Sequence, residues 1–160
     1  MKTVWLLAFV SLAACNHEQD KFRYSTAQQD EERVAAMYAM RAIGVELVTM
    51  FEGKTLEPSR IRELTGRLVE QADALPRHFE YASDPKRRQA SATKALIWDK
   101  SGDFQAAMTN FQQKTRRLKT MVNATPDAKL DSIWPMLVDT GDSCTACHQK
   151  FRIGGDPSHD

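Results

Sequence analysis

The sequence predicts an all-α domain, an antiparallel four-helix bundle, from three observations. Four stretches repeat apolar residues at steps of three and four, which places them on one face of a helix. No stretch sustains the two-residue alternation of a half-buried strand. Glycine and proline are scarce, seven and six in 160 residues, and their positions leave two short links and one longer one between the four stretches. Short links join antiparallel neighbours, so the longer one becomes a crossover between the second and third helices.

The first helix opens at Ala27 and carries the stripe Met37, Met40, Gly44, Leu47 and Phe51. Asp30, Glu31 and Glu32 lie near its start, where the positive end of the helix dipole favours them. Gly53 is the expected terminator. The second helix follows Pro58 with Ile61, Leu64, Leu68, Ala72 and Leu75, and Pro76 stops or kinks it. Residues 77–100 are less regular, with a turn signal at Ser83-Asp84-Pro85, basic residues at Lys86-Arg87-Arg88, and Ile97 and Trp98 as apolar anchors. Ser101 or Asp103 can cap the third helix, whose stripe is Phe104, Met108, Phe111, Thr115, Leu118 and Val122. Thr125-Pro126-Asp127 starts the fourth, which carries Leu130, Ile133 and Leu137 and continues through Cys144 to Phe151. Pro135 falls inside that stretch and predicts a kink. The domain is thus expected over residues 27–155, with a tail at 156–160.

Charge narrows the partners. The chain has 22 basic and 21 acidic side chains, a formal charge of +1, without the basic excess of a nucleic-acid binder. A charged fraction of 27% with 42% hydrophobic residues argues against disorder. Three cysteines cannot all pair with one another, so at least one has another fate.

Residues 1–14 read as an export signal. Lys2 gives a positive start, and the apolar run from Val4 to Ala14 is too short for a spanning helix of ~20 residues. Leu12-Ala13-Ala14-Cys15 resembles the lipobox of bacterial lipoproteins, in which cleavage precedes a cysteine that then carries lipid. An ordinary signal peptide is the plainer alternative. The resemblance implies lipidation at Cys15, a polar tether over residues 15–26 and attachment to the membrane through that lipid. Asn16, in place of the aspartate that retains such proteins at the inner membrane, implies the periplasmic side of a Gram-negative outer membrane. Loss of Lys2 leaves 21 basic against 21 acidic residues, so the mature chain is formally neutral.

Cys144-Thr145-Ala146-Cys147-His148 is the attachment pattern of c-type haem. Cysteines three apart share a helix face, so both thiols reach the vinyl groups on one haem edge. The next residue, His148, supplies an axial imidazole. A zinc site would need four ligands. A thioredoxin-like redox pair would need a βαβ setting. Neither context is present. The expected cofactor is one haem c, held near the C-terminus through Cys144 and Cys147.

With these residues in place, the chain resembles the cytochrome c-prime family, four-helix bundles with the haem motif in the last helix. The motif CTACHQKFR carries the resemblance, since the family commonly has an aromatic and then a basic residue where Phe151 and Arg152 stand. The segment Ala74 to Phe79, the Ile97-Trp98 pair and Phe111 also match. The family places a helix-A residue over the second haem face, four residues after an arginine. An apolar residue there leaves the iron five-coordinate and open to nitric oxide or carbon monoxide. A methionine there makes a six-coordinate electron carrier. Arg33 and Met37 have that spacing, with Met40 as the alternative ligand. Both methionines can equally be core residues.

The resemblance therefore implies a periplasm-facing, His/Met-ligated electron carrier that is not an enzyme, with gas binding as the alternative. Arg33 becomes a candidate partner of a haem propionate, and Arg152 a residue near the proximal face. Redox proteins of the periplasm or membrane are the expected partners, and family members often dimerise through the first two helices. Lys114, Arg116, Arg117 and Lys119 form a basic strip on the third helix, read chiefly as a solvated face. His78 and His159 read as surface residues, and His17 belongs to the tether.

Overall fold

The computed structural model describes residues 26–79, 97 and 101–152. The export signal, Cys15, the tether, the turn and basic cluster of residues 83–88, Trp98 and the C-terminal tail lie outside these residues. Four helices, α1 (Thr26–Glu52), α2 (Pro58–Ala74), α3 (Ser101–Ala124) and α4 (Trp134–Phe151), form an antiparallel bundle. Short 3₁₀ segments extend α2 over Leu75–Phe79 and precede α4 over Asp127–Ile133. Among the described residues there is no strand.

The stripes of α2 and α3 are buried as the sequence predicts. Ile61, Leu64, Leu68, Ala72 and Leu75 join Phe104, Met108, Phe111, Thr115, Leu118 and Val122 in one core. Leu130, Ile133 and Leu137 complete it from the fourth element, and Ile97 reaches it from the crossover. Thr140 and Ser143 also lie in the bundle interior. Their hydroxyls donate to the carbonyls of Met136 (2.8 Å) and Thr140 (2.6 Å), so neither side chain is left unsatisfied.

α1 departs from the expected stripe. Its buried line is Arg33, Ala36, Met40, Ile43, Leu47 and Met50, while Met37, Gly44 and Phe51 are half-buried. The helix is apolar on nearly every side, with Val34, Tyr38 and Val45 exposed, so periodicity alone could not choose its inward face. Glu31–Glu52 is even long and apolar enough to cross a membrane by length and composition. In this fold the segment instead packs against α2 and α4. The helix starts at Thr26, so Asp30, Glu31 and Glu32 stand beyond its first turn.

Two further readings change at helix ends. Pro135 does not kink α4, because the helix begins at Trp134 and the proline occupies its first turn. A proline there gives up only an N–H that has no intrahelical acceptor. The residues before it, including Leu130 and Ile133, wind as the tighter 3₁₀ segment. At the end of α1, Gly53 does follow the helix, but the left-handed conformation falls on Lys54, at φ 53°. The Thr55 N–H closes that turn onto the Met50 carbonyl at 3.0 Å.

Polar ties fix the helix directions. Arg60 at the start of α2 donates to Glu46 on the second half of α1 at 2.8 Å. Arg116 of α3 pairs with Asp73 of α2 at 2.6 Å, and Lys114 of α3 pairs with Asp139 of α4 at 2.7 Å. Lys150 at the end of α4 pairs with Asp103 at the start of α3 at 2.9 Å. The start of α1, the 3₁₀ extension of α2, the start of α3 and the end of α4 meet at one end of the bundle, through Arg33 on His78, Phe79 on Phe104 and Lys150 on Asp103.

Candidate functional site

That end carries the haem motif. Cys144 and Cys147 are free thiols one helical turn apart on α4, both half-buried and packed against the core. The Cys144 thiol donates weakly to the Thr140 carbonyl, with sulfur and oxygen 3.8 Å apart. Burial, with the second thiol nearby, pushes Cys144 up to about 11, and burial raises Cys147 as well. Both are therefore neutral thiols at physiological pH. Reduced sulfurs side by side on an apolar flank fit covalent attachment to a largely apolar macrocycle. Among the described residues no three His, Cys, Asp or Glu side chains gather as a metal-binding group.

His148 follows on the last turn of α4 and is half-buried. Its carbonyl accepts the Arg152 N–H at 2.9 Å, and Arg152 then leaves the helix in extended conformation. Phe151, one turn after His148, is buried.

On α1 the structure separates the two methionines. Met40 is 9% exposed and continuous with Ile43 and Leu47 in the core, whereas Met37 is half-buried on the core's flank. Arg33, one turn before Met37, is also only 9% exposed. Its Nε donates to the His78 carbonyl at 3.0 Å, and its guanidinium lies 4.8 Å from the centre of the Phe79 ring. It is an internal tie between α1 and the end of α2. His78 is half-buried, and burial, helped by Arg77 and Arg33 and opposed by Glu32, lowers its basicity. Within the basic strip, Lys114 and Arg116 are taken up by Asp139 and Asp73, which weakens it as a docking surface.

Phe79 and Phe104 were legible as an aromatic at a helix end and a core residue, with no link to the site. Their meeting beside Phe151 depends on which helix ends coincide.

Residues 28–152 match the family Cytochrome C'. The chain belongs to the cytochrome c' family. It accordingly carries haem c, bound covalently through Cys144 and Cys147. Among solved structures it is similar to cytochrome c prime from Shewanella frigidimarina, at 22% identity, TM-score 0.69, covering 82% of this chain and 98% of that one. It is also similar to cytochrome c' from Rubrivivax gelatinosus, at 18% identity, TM-score 0.66, covering 79% and 96%. A third is the nitric oxide complex of a variant of cytochrome c prime from Alcaligenes xylosoxidans, at 19% identity, TM-score 0.68, covering 80% and 96%. No curated protein matches the chain by sequence.

Proposed function

We propose that this cytochrome c' binds a small diatomic gas, nitric oxide or carbon monoxide, at its haem. The observation that carries the reading is the family's solved relative from Alcaligenes xylosoxidans, described as a nitric oxide complex on the same bundle. Bound haem would supply an iron with one coordination position for the gas. The chain's own residues do the rest. Cys144 and Cys147 hold the macrocycle on α4, and the imidazole of His148 would give a nitrogen ligand to its iron. Met37, half-buried on the flank of the core, would supply an apolar side chain beside the gas. Arg33 and Arg152 stand at the margins, Arg33 as the candidate partner of a propionate.

The test is carbon monoxide mixing with the reduced protein at neutral pH. A five-coordinate ferrous spectrum and fast binding are expected. A low-spin ferrous spectrum with slow or absent binding overturns the reading.

A second reading is favoured by one observation, the half-buried Met37 one turn after the buried Arg33. With its thioether on the iron the protein would be an electron carrier, because six-coordinate iron reorganises little and a soft ligand favours the ferrous state. An absorption band from a methionine–iron bond in the ferric protein would select it. Its partners would be periplasmic or membrane redox proteins, met through small, electrostatically steered contacts.

Cytochromes c' are typically periplasmic in Gram-negative bacteria, which agrees with an export signal at residues 1–14. Lipid on Cys15 would hold the domain at the membrane, and palmitate labelling lost in Cys15→Ser tests this. A homodimer through α1 and α2 suits the exposed Val34, Tyr38 and Val45, and sedimentation of the protein tests it.

A further inference from the structure

The haem-bearing end of the bundle is tied by a line of aromatic contacts centred on Phe104, which is 4% exposed at the start of α3. The Phe79 ring meets it edge-on, with centroids 4.8 Å apart and planes at 68°. On the other side Phe151 meets it at 5.2 Å and 77°. Cations close both ends of the line. The Arg33 guanidinium lies 4.8 Å from the Phe79 centroid, and Lys150 Nζ lies 5.3 Å from that of Phe151. Lys150 also donates to Asp103 at 2.9 Å. Two consecutive residues at the start of α3, Asp103 and Phe104, thus grip two consecutive residues in the last turn of α4, Lys150 and Phe151.

That last turn also bears His148, whose carbonyl accepts the Arg152 N–H. Terminal helical turns fray unless something holds them. Edge-to-face aromatic pairs have preferred geometry, so they hold orientation as well as position. The direction of the imidazole therefore depends on what grips Phe151.

We propose that Phe104 is a positioning residue for the haem: through Phe151 it fixes the last turn of α4 and with it the plane of the His148 imidazole. Through Phe79 it locks that turn to Arg33 on α1. Phe104 acts through its neighbours and need not touch the iron. The inference rests on His148 as an iron ligand and is independent of which ligand occupies the other haem face.

The experiment compares haem methyl shifts in proton NMR spectra of the ferric holoprotein, whose spread follows the orientation of the imidazole plane. Phe104→Ala and Phe104→Leu are set against Leu118→Ala, a buried α3 residue about 21 Å further along the helix. Both Phe104 variants are expected to change the order or spread of the methyl shifts, Ala more than Leu. Leu118→Ala is expected to lower thermal stability with the native pattern intact. If Phe104→Ala does not fold, Phe104→Leu decides. An unchanged pattern in the Phe104 variants, or an equal change in Leu118→Ala, overturns the proposal. His148→Ala separates the two claims. If it leaves the haem absorption spectrum unchanged, His148 is not the ligand and the inference falls with it. If it alters the spectrum while the Phe104 variants keep native shifts, only the positioning role falls.

Discussion

Truncating the two methionines of α1 one at a time separates a core role from a haem-facing one. Met40 is 9% exposed, so nearly all of its side chain is withdrawn from water. Replacing such a methionine by alanine loses transfer free energy and leaves a cavity, together ~2–5 kcal/mol. Alanine's better helix propensity returns only a few tenths of that. Met37 is half-buried, so a comparable calculation gives about 1–2 kcal/mol. An unfolding entropy of ~2.1 cal/mol/K per residue makes 1 kcal/mol worth about 4 °C in a domain of this size. Met40→Ala should then lower Tm by about 8–20 °C and Met37→Ala by less than ~8 °C. Circular dichroism melts of the holoprotein measure this, and absorption spectra of both oxidation states are recorded on the same samples. Met37→Ala is expected to alter gas binding more than Met40→Ala does. Equal losses of stability, or a haem spectrum that responds only to Met40→Ala, would refute the assignment of Met37 to the haem side.

Three further outcomes are expected. Cys144→Ser and Cys147→Ser should each leave the haem attached by one bond, and the double variant should lose it to acid–acetone extraction, read by haem-stained gels. The hydrogen bond from Arg60 holds Glu46 below its ordinary value of 4.5, so this pair stabilises the fold above that pH and the benefit fades as pH falls through the lowered value. Glu46→Gln should therefore flatten the loss of stability in acid at low salt, and salt should shrink the difference because the pair is exposed. Lys54→Gly removes a side chain from a left-handed backbone position and should stabilise the protein by ~0.5–1 kcal/mol in urea unfolding.

Much of the fold was legible because two helices are strongly amphipathic. On α2 and α3 every predicted inward residue from Ile61 to Val122 is buried, since polar residues fill the opposite face and leave one solution. α1 offered several solutions. With Val34, Tyr38 and Val45 outside and Ala36, Ile43 and Met50 inside, only packing against α2 and α4 selects the face. Pro135 was misplaced for a related reason. Its effect depends on where the helix begins, and the 3₁₀ segment that delays this start carries the same apolar spacing.

The haem cysteines could be found from the sequence because their chemistry is local. Two thiols and an imidazole within five consecutive residues share one helix end whatever surrounds them, and Cys144, Cys147 and His148 required no partner from elsewhere. The arrangement around them is not local. Arg33, Phe79, Phe104 and Phe151 are spread over more than a hundred residues, and nothing in their spacing marks them as neighbours. Antiparallel packing brings four helix ends together, and that alone puts the guanidinium on one ring and sets the next two edge to face. The sequence by itself determined the helices and the covalent seat of the cofactor, because both follow from residues within a turn or two of each other. Tertiary structure decided which side of α1 faces inward and what braces the histidine turn, because those depend on contacts between segments that meet only once the bundle has closed.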